Sequence, residues 1–374
     1  MKYYIIAGEA SGDLHASNLM SELKKTDSLA QFRCWGGDLM QKQGGELVKH
    51  YRDLAFMGFI EVLANLKTIL NNINLCKNDI DTYKPDAIIL IDYPGFNLRI
   101  AEYAHLKGYK VYYYISPQVW AWHQSRVKKM KKVIDRLFVI LPFEKDFFKE
   151  HQMDVDFVGH PLLDAIENHS INSLNDINVF NETAHINGKP IIALLPGSRK
   201  QEIKTVLPIM LSIIKDYPDY KFIVAGVNTQ PKEFYNNIIG EIPVGVVYNQ
   251  TYNLLQTAKA ALVTSGTATL ETALFGVPQI VCYKGSAISF AIAKRFVKVK
   301  YICLANLILD KLIVTELIQD DLNTKRLKEE FEKIIHDEEY LKHLHEDYND
   351  LKIKLGGKGA STNAAKLIYG YLSK

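Results

Sequence analysis

The stretch Leu194-Leu-Pro-Gly-Ser-Arg-Lys-Gln-Glu-Ile203 decides the fold of this chain. The apolar run at 190–195 predicts a buried parallel strand, and Pro196 with Gly197 ends it. The apolar residues that follow recur at helical spacing and fall on one face: Ile203, Val206, Leu207, Met210, Leu211 and Ile214. A buried strand, a glycine turn and a one-faced helix in this order indicate an α/β unit with a parallel sheet.

The helix start in this stretch has the composition of an anion site. Ser198 and Gln201 fit a capping box, so the helix is predicted to begin here. Backbone N–H groups and the helix dipole attract an anion, and Arg199 adds a planar cation that can hold phosphate through two hydrogen bonds. The same residues are also typical of an ordinary strand-to-helix turn with Arg199 in solvent. Pro208 inside the helical pattern predicts a kink or a shortened helix.

The composition indicates a globular protein and excludes several classes. A chain of 374 residues with 48% hydrophobic and 23% charged residues is long enough for two domains. Its net charge of +3 is too small to indicate nucleic-acid binding, and no apolar run is long enough to span a membrane. Met1 leads directly into a strand, unlike a signal peptide. Four scattered cysteines without a Cys-x-x-Cys pair are typical of reduced, cytosolic thiols: Cys34, Cys76, Cys282 and Cys303.

Two further strand–turn units in the first half carry acidic residues. The strand at 2–7 leads into a glycine turn in which Glu9 and Asp13 flank small residues, although the spacing of a dinucleotide site is absent. A later buried strand leads to Asp92, which follows its carboxyl end, where catalytic residues of open α/β sheets cluster. Asp92 is equally typical of a residue that only hydrogen-bonds its own turn ahead of Pro94.

Apolar runs bounded by turn residues predict a series of strands along the chain. They lie at 2–7, 31–36, 86–91, 110–115, 136–140, 155–158, 190–195, 221–225, 244–247, 260–263 and 277–283. Residues 167–188 are rich in Asn, Ser and Asp and lack periodicity, so they predict a linker. The chain therefore divides into predicted domains at 1–166 and 189–356.

The strand at 260–263 leads into one more turn rich in small residues. Its sequence Thr264-Ser-Gly-Thr-Ala-Thr-Leu-Glu271 starts a helix, and the small side chains permit close approach to the backbone. Glu271 lies one turn inside this helix, where a carboxylate can accept both hydroxyls of a ribose. An acid in the first turn of a helix is also favoured by the helix dipole alone.

The ordered set of motifs resembles lipid-A-disaccharide synthases, which are inverting glycosyltransferases of lipid A assembly. The segments that carry the resemblance are Gly8–Asp13, Met57–Val62, Asp92–Asn97, Ser116–Trp122, Leu141–Glu144, Val158–Pro161, Leu195–Arg199, Ser265–Glu271 and Asn306–Leu307. Each segment alone is weakly specific, but their order along nearly the whole chain is highly specific. One position departs from the family, because Gly95 stands where a second acid is common.

The resemblance implies a fold and a reaction. The fold is α/β of the GT-B type: two Rossmann-like domains face a cleft, and a C-terminal helix at about 357–374 packs back on the N-terminal domain. The reaction transfers 2,3-diacylglucosamine from UDP-2,3-diacylglucosamine to 2,3-diacylglucosamine 1-phosphate, and its products are the β-1,6-linked disaccharide 1-phosphate and UDP. We expect no metal and no cofactor, since Arg199, helix N-termini and backbone amides can stabilise the charge that grows on the leaving UDP.

The resemblance also implies roles for the candidate residues. Asp92 is the expected base for the acceptor hydroxyl, because inversion requires one base opposite the leaving UDP, and Arg199 is expected to act in catalysis as well as in binding. The expected UDP-binding residues are Gly197, Ser198, Arg199, Ser265, Gly266, Thr267, Glu271 and Asn306. The expected acceptor-side residues are Glu9, Ser11, Asp13 and Asn97.

Since the implied substrates carry acyl chains, a membrane contact is expected. Four apolar residues are predicted to form a membrane-touching patch: Phe56, Met57, Phe59 and Ile60. The basic helix at 123–133 can lie against anionic headgroups, although a charged helix face is most often only solvated. We therefore expect a cytoplasmic protein held peripherally at the inner membrane, with no nucleic-acid partner. The sequence leaves open whether the chain forms a homodimer.

Two other functions are compatible with parts of this pattern. A sugar-nucleotide 2-epimerase on the same fold would bind UDP in the same way but would need no lipid. A non-catalytic UDP-binding or membrane-scaffold protein would need no base, and the presence of Asp92, Arg199 and Glu271 together argues against it.

Overall fold

The computed structural model describes residues 1–53, 66–121, 124–172, 188–286 and 299–374. The chain divides into two compact units, unit 1 (Met1–Asp164 with Leu355–Lys374) and unit 2 (Ala165–Lys354). The predicted linker begins inside a helix, because the helix that starts at Pro161 continues to Asn172. The rest of that linker, residues 173–187, lies outside the described ranges.

Unit 1 contains a parallel sheet of seven strands in the order β3-β2-β1-β4-β5-β6-β7. The strands are β1 (Lys2–Ala7), β2 (Gln31–Gly36), β3 (Glu46–His50), β4 (Ala87–Ile91), β5 (Lys110–Tyr114), β6 (Arg136–Val139) and β7 (Asp156–Phe157). The strand order reverses between β1 and β4, which pair in parallel register. The turns that follow these two strands therefore lie side by side, at the position where open α/β sheets bind ligands.

Helices cover both faces of the unit 1 sheet. They are α1 (Ala10–Thr26), α2 (Asp38–Lys42), α3 (Leu66–Tyr83), α4 (Pro94–Leu106), α5 (Arg126–Val133), α6 (Pro142–Glu150), α7 (Pro161–Asn172, which runs into unit 2) and α15 (Ala360–Leu372). One face packs on α3, α4 and α5, and the other packs on α1 and α15. The C-terminal helix α15 thus returns to the N-terminal sheet, and this part of the predicted fold is confirmed.

Unit 2 contains a second parallel sheet of six strands in the order β10-β9-β8-β11-β12-β13. The strands are β8 (Ile191–Leu195), β9 (Lys221–Gly226), β10 (Gly245–Tyr248), β11 (Ala258–Thr264), β12 (Gln279–Tyr283) and β13 (Glu316–Ile318). The strand order reverses between β8 and β11, which are neighbours in the sheet. The two small-residue turns predicted at 196–199 and 264–267 follow these two strands and lie next to each other.

The helices of unit 2 also pack on both faces of its sheet. They are α8 (Lys200–Leu211), α9 (Lys232–Ile239), α10 (Thr251–Thr257), α11 (Thr267–Leu274), α12 (Leu304–Leu309), α13 (Thr324–His336) and α14 (Glu338–Lys354). The larger core lies under α8 and α13, and a smaller core lies under α10 and α11. Short 3₁₀ turns lie at Tyr51–Asp53, Ile214–Asp216 and Gln319–Asp321. Two parallel sheets with helices on both faces confirm the predicted pair of Rossmann-like domains.

Some local predictions need correction. The predicted strands are present with ends shifted by no more than two residues, but β3 and β13 were not predicted. Pro208 lies inside α8, and this helix ends at Leu211, before the last residue of the apolar pattern at Ile214, so the predicted shortening is confirmed.

Candidate active site

A cavity of about 220 Å³ opens in unit 2 where the strand order reverses. Its walls include the turns after β8 and β11, together with residues that end or follow β9. Six of the expected UDP-binding residues line it: Gly197, Ser198, Ser265, Gly266, Thr267 and Glu271. Polar residues that the sequence analysis did not single out also line it: Glu202, Thr251 and Thr264. Two turns whose glycines, Gly197 and Gly266, are 69 residues apart in the sequence thus line one cavity.

The turn after β8 depends on a glycine in the left-handed region. Gly197 has a φ of 101°, a conformation that side chains disfavour. A Cβ at this position would lie 2.1 Å from Oε2 of Glu202, so the Glu202 carboxylate packs directly over the glycine. The capping-box prediction was wrong, since α8 begins at Lys200 and its N-cap residue, Arg199, gives no side-chain cap. Backbone N–H groups at the start of α8 are therefore not occupied by an N-cap side chain.

The side chain of Arg199 is exposed and does not line the cavity. Within the described parts of the chain its guanidinium has no hydrogen-bond or ion-pair partner. An unpaired guanidinium beside a helix N-terminus is available to an anion, and its planar fork suits phosphate. The structure is therefore compatible with both interpretations of Arg199, as a phosphate ligand or as a solvent-exposed turn residue. The Arg199→Ala variant distinguishes them.

The turn after β11 combines one fixed side chain with an open backbone. The Ser265 hydroxyl donates a 2.9 Å hydrogen bond to the carbonyl oxygen of Ile302, which ties the turn to the segment before α12. Gly266 is the N-cap residue of α11, and a Cβ there would meet no atom within 4 Å. Thr267 is exposed at the first position of the helix. The free end of α11 therefore faces the cavity, as the free end of α8 does.

Glu271 lies in α11 and is held by a tyrosine from another helix. The hydroxyl of Tyr252, in α10, donates a 3.0 Å hydrogen bond to Oε1 of Glu271. Burial raises the pKa of Glu271, and the hydrogen bond from Tyr252 opposes that rise. A half-buried carboxylate fixed in this way can accept hydroxyl hydrogen bonds from a sugar.

The expectation that Asn306 binds UDP needs correction, because its side chain has no exposed surface. Its Nδ2 donates to the carbonyl of Val314 and to Glu316, while its Oδ1 accepts from the N–H groups of Ile313 and Val314. Glu316 also accepts from the N–H groups of Ile302 and Cys303. These bonds hold the segment to which Ser265 is tied, so Asn306 supports the cavity wall from behind.

In unit 1 the turn after β4 places Asp92 at the position where the strand order reverses. Asp92 has a φ of 44°, and Tyr93 has a φ of 48°, so two consecutive residues adopt the left-handed region. Burial, and to a smaller extent the negative charge of nearby Glu9, raise the pKa of Asp92 to about 6. A carboxylate whose pKa lies close to neutrality is suited to take a proton from a hydroxyl group.

The four expected acceptor-side residues separate into exposed and buried pairs. Glu9 is the N-cap residue of α1, Ser11 lies in the first turn of that helix, and both are exposed beside the Asp92 turn. Asp13 is only 3% exposed, and its carboxylate accepts from the N–H groups of Gly37, Leu39 and Met40, so it caps α2. Asn97 is fully buried and donates to the carbonyls of Ile91 and Asp92. Asp13 and Asn97 therefore stabilise backbone, and the expectation that they line the acceptor site needs correction.

Gly95 marks the departure from the family pattern. It is exposed at the second position of α4, and a Cβ there would meet no atom within 4 Å. The surroundings therefore leave room for the acid that is common in the family, and an acid in the first turn of a helix is favoured by the dipole.

Several expectations fall where placement is not described. The expected membrane patch of Phe56, Met57, Phe59 and Ile60 lies outside the described residues. Within the ranges that are described, no group of three or more His, Cys, Asp or Glu side chains could hold a metal ion. Over the same ranges, no helix has both the length and the apolar character needed to cross a bilayer.

Comparison with known proteins gives consistent matches over the full length. The family model of lipid-A-disaccharide synthetase matches residues 3–369. A lipid-A-disaccharide synthase of Syntrophus aciditrophicus is 38% identical over 377 residues, which cover 99% of this chain and 97% of the relative. One of Trichlorobacter lovleyi is 35% identical and covers 97% of this chain and 96% of the relative.

A solved structure adds evidence on the fold. The UDP-GlcNAc 2-epimerase of Neisseria meningitidis, bound to UDP-GlcNAc, superposes with a TM-score of 0.68 and covers 100% of both chains. Its sequence identity is only 14%, so this likeness shows the fold and not the activity. The sequence matches decide the family: this chain belongs to the lipid-A-disaccharide synthases.

Proposed function

We propose that this chain transfers 2,3-diacylglucosamine from UDP-2,3-diacylglucosamine to 2,3-diacylglucosamine 1-phosphate, with UDP and the β-1,6-linked disaccharide 1-phosphate as products. The observation that carries the proposal is the family match over residues 3–369. The geometry of the two units supports it, because each has its candidate groups at the point where its strand order reverses.

The donor binds in the cavity of unit 2. The two phosphates of UDP lie against the N-termini of α8 and α11, where backbone N–H groups and helix dipoles favour negative charge. Arg199 contacts the phosphate that leaves, and Glu271 accepts the hydroxyls of the ribose. The Glu202 carboxylate lies over Gly197 and would repel the diphosphate, so it turns aside when the diphosphate enters.

The acceptor is activated in unit 1 by Asp92. Inversion requires the acceptor hydroxyl to attack the sugar carbon opposite the leaving UDP, and the carboxylate of Asp92 takes the proton of that hydroxyl. A pKa of about 6 leaves most of this group ionised at pH 7 and still makes it a stronger base than an ordinary aspartate. Nearby Glu9 contributes to the raised pKa of Asp92. Both residues follow the carboxyl ends of paired parallel strands, at the edge of the sheet where the acceptor binds.

Charge stabilisation during the reaction comes from the protein. Negative charge grows on the β-phosphate as the bond to the sugar breaks, and the groups at the two helix N-termini are fixed before the reaction begins. Such preorganised donors stabilise a developing charge more effectively than water does. Arg199 is the only full positive charge in this assignment.

We also propose that the protein binds peripherally to the cytoplasmic face of the inner membrane. Each substrate carries two acyl chains, so both substrates reside in the bilayer. The exposed lysines of α5, Lys128, Lys131 and Lys132, provide positive charge for anionic headgroups. The apolar side chains of Phe56, Met57, Phe59 and Ile60 are the part of the protein that inserts into the membrane–water interface.

Mass spectrometry of products tests the function directly. The protein is mixed with both acylated sugars in detergent, and a disaccharide 1-phosphate with release of UDP is the expected result. Incubation with UDP-N-acetylglucosamine alone should give no C2 epimer, and its appearance would support the epimerase instead. Product formation should also survive excess EDTA, whereas loss of activity that Mg²⁺ restores would contradict the proposed charge stabilisation.

A further inference from the structure

The backbone at the end of β4 is strained at two consecutive positions. Asp92 and Tyr93 have φ values of 44° and 48°, although neither is glycine. The left-handed region is unfavourable for residues other than glycine, and a bulky residue such as tyrosine is uncommon there. Strain of this kind persists only where the surrounding structure holds it, so the contacts of this turn identify the residues that hold it.

Two buried side chains donate to one carbonyl oxygen in this turn. The hydroxyl of Tyr113 donates a short hydrogen bond to the backbone carbonyl of Asp92. Nδ2 of Asn97 donates to the same oxygen at 2.8 Å and to the carbonyl of Ile91 at 3.2 Å. Tyr113 lies on β5, which pairs with β4, and it has no exposed surface. Burial raises the pKa of Tyr113 well above its usual range, so its hydroxyl stays protonated and remains a donor.

The opposite side of the turn is fixed by an aromatic ring. A Cβ on Gly8 would lie 2.3 Å from Cγ of Tyr93, so the ring of Tyr93 packs against the bare backbone of Gly8. The same ring stacks on Phe96, with centroids 5.5 Å apart and planes at 27°. The turn is therefore held between the backbone after β1 and the side chains behind β4.

We propose that Tyr113 is a positioning residue for the transfer reaction: its hydroxyl holds the left-handed turn that fixes the location of the Asp92 carboxylate. The inference rests on the proposed role of Asp92 as base. Tyr113 itself touches no substrate, because it is fully buried. Asn97 is the second side chain that donates to the carbonyl oxygen of Asp92.

The variant Tyr113→Phe tests this, because it keeps the ring and removes only the donor. We expect kcat to fall about tenfold or more, while the KM values and the Kd of UDP stay within about twofold. The acidic limb of the pH–kcat profile should move to lower pH, since a released carboxylate becomes better solvated and its pKa falls toward the ordinary value. Tyr112→Phe is the matched control: this buried neighbour on β5 points to the other face of the sheet and packs on Phe138.

A double-mutant cycle separates positioning from a general loss of structure. Tyr113→Phe should cost less than about twofold in kcat when Asp92 is already Asn, because the hydroxyl then has no base to position. An equal loss in both backgrounds would overturn the inference, and so would an unchanged kcat for Tyr113→Phe. If Tyr113→Phe does not fold, Asn97→Ala removes the other donor to the same carbonyl and is expected to show the same coupling. An Asp92→Asn enzyme that keeps its activity would overturn both the base assignment and this inference, whereas failure of Tyr113→Phe alone leaves the base assignment standing.

Discussion

Tyr252 holds the carboxylate of Glu271 through a 3.0 Å hydrogen bond between its hydroxyl and Oε1. The bond favours the charged form of Glu271 against the effect of burial, which raises the pKa of this group. We expect Tyr252→Phe to weaken UDP binding about 2–10-fold, because one hydrogen bond contributes about 0.5–1.5 kcal/mol. The loss should be larger at pH 6 than at pH 8, since the pKa of Glu271 rises further without this donor. Isothermal titration calorimetry with UDP at both pH values measures the change in affinity.

Tyr220→Phe serves as the control for that measurement. Tyr220 directly precedes β9, so it lies at the amino end of the strand and the cavity at the carboxyl end. If both variants bind UDP as the wild type does, Glu271 does not contact the nucleotide.

Arg199→Ala tests whether the exposed guanidinium acts on the leaving phosphate. Because the charge on that phosphate grows in the transition state, we expect kcat to fall about 10²–10³-fold, equivalent to about 2.7–4 kcal/mol of barrier, with a weaker affinity for UDP. The control is Lys204→Ala, an exposed cation on the same helix. Unchanged steady-state kinetics for Arg199→Ala would mean that Arg199 is only a solvated turn residue.

The raised pKa of Asp92 predicts a dependence of stability on pH. A rise from 3.8 to about 6 means that the folded state holds this proton more tightly than the unfolded state does. The free energy of unfolding therefore falls as the pH rises from about 4 to about 6, by at most about 3 kcal/mol. Asp92→Asn removes this loss, and asparagine also tolerates the left-handed backbone. The variant should be more stable than the wild type at pH 8 and gain little at pH 4.

Urea unfolding at both pH values provides the comparison. Asp154→Asn, at an exposed position in the same unit, is the control for the charge change alone. If the wild type and Asp92→Asn have the same free energy of unfolding at pH 8, burial and the charge of Glu9 do not raise the pKa of the Asp92 carboxylate.

The membrane proposal predicts a phenotype at residues 56–57. Phe56→Ser combined with Met57→Ser should reduce binding to anionic liposomes and activity on long-chain substrates, while UDP binding stays intact. Higher ionic strength should weaken the same liposome binding, because salt screens the basic side chains. Leu106→Ser, which changes an 81% exposed leucine elsewhere in unit 1, is the control. Loss of thermal stability together with UDP binding would instead show that Phe56 and Met57 belong to the core.

The fold was predictable because its strands are buried on both faces and appear as apolar runs, such as Ile191–Leu195. The edge strand β3 was missed because only Leu47 and Val48 of its five residues are apolar and none of the five is fully buried. The turns at Gly197 and Gly266 could be identified because a strand, a glycine and a helix start are local in sequence.

The residues that the sequence analysis misassigned or missed depend on contacts between distant segments. Asp13 and Asn306 look like ligand-binding residues in sequence, but each is buried and hydrogen-bonds to backbone from another element. Tyr113 and Tyr252 gave no local signal at all, because each acts on a carboxylate-bearing residue about 20 positions away. Only the tertiary structure brings these partners together.

Asp92 is the proposed base of the transfer, and this role is measured by the turnover of the Asp92→Asn variant. The substitution keeps the size of the side chain and removes the proton acceptor. If Asp92 is the base, kcat falls about 10²–10⁴-fold, the usual contribution of a general base, and the Kd of UDP is unchanged. If the variant keeps more than about a tenth of wild-type turnover, Asp92 is not the base.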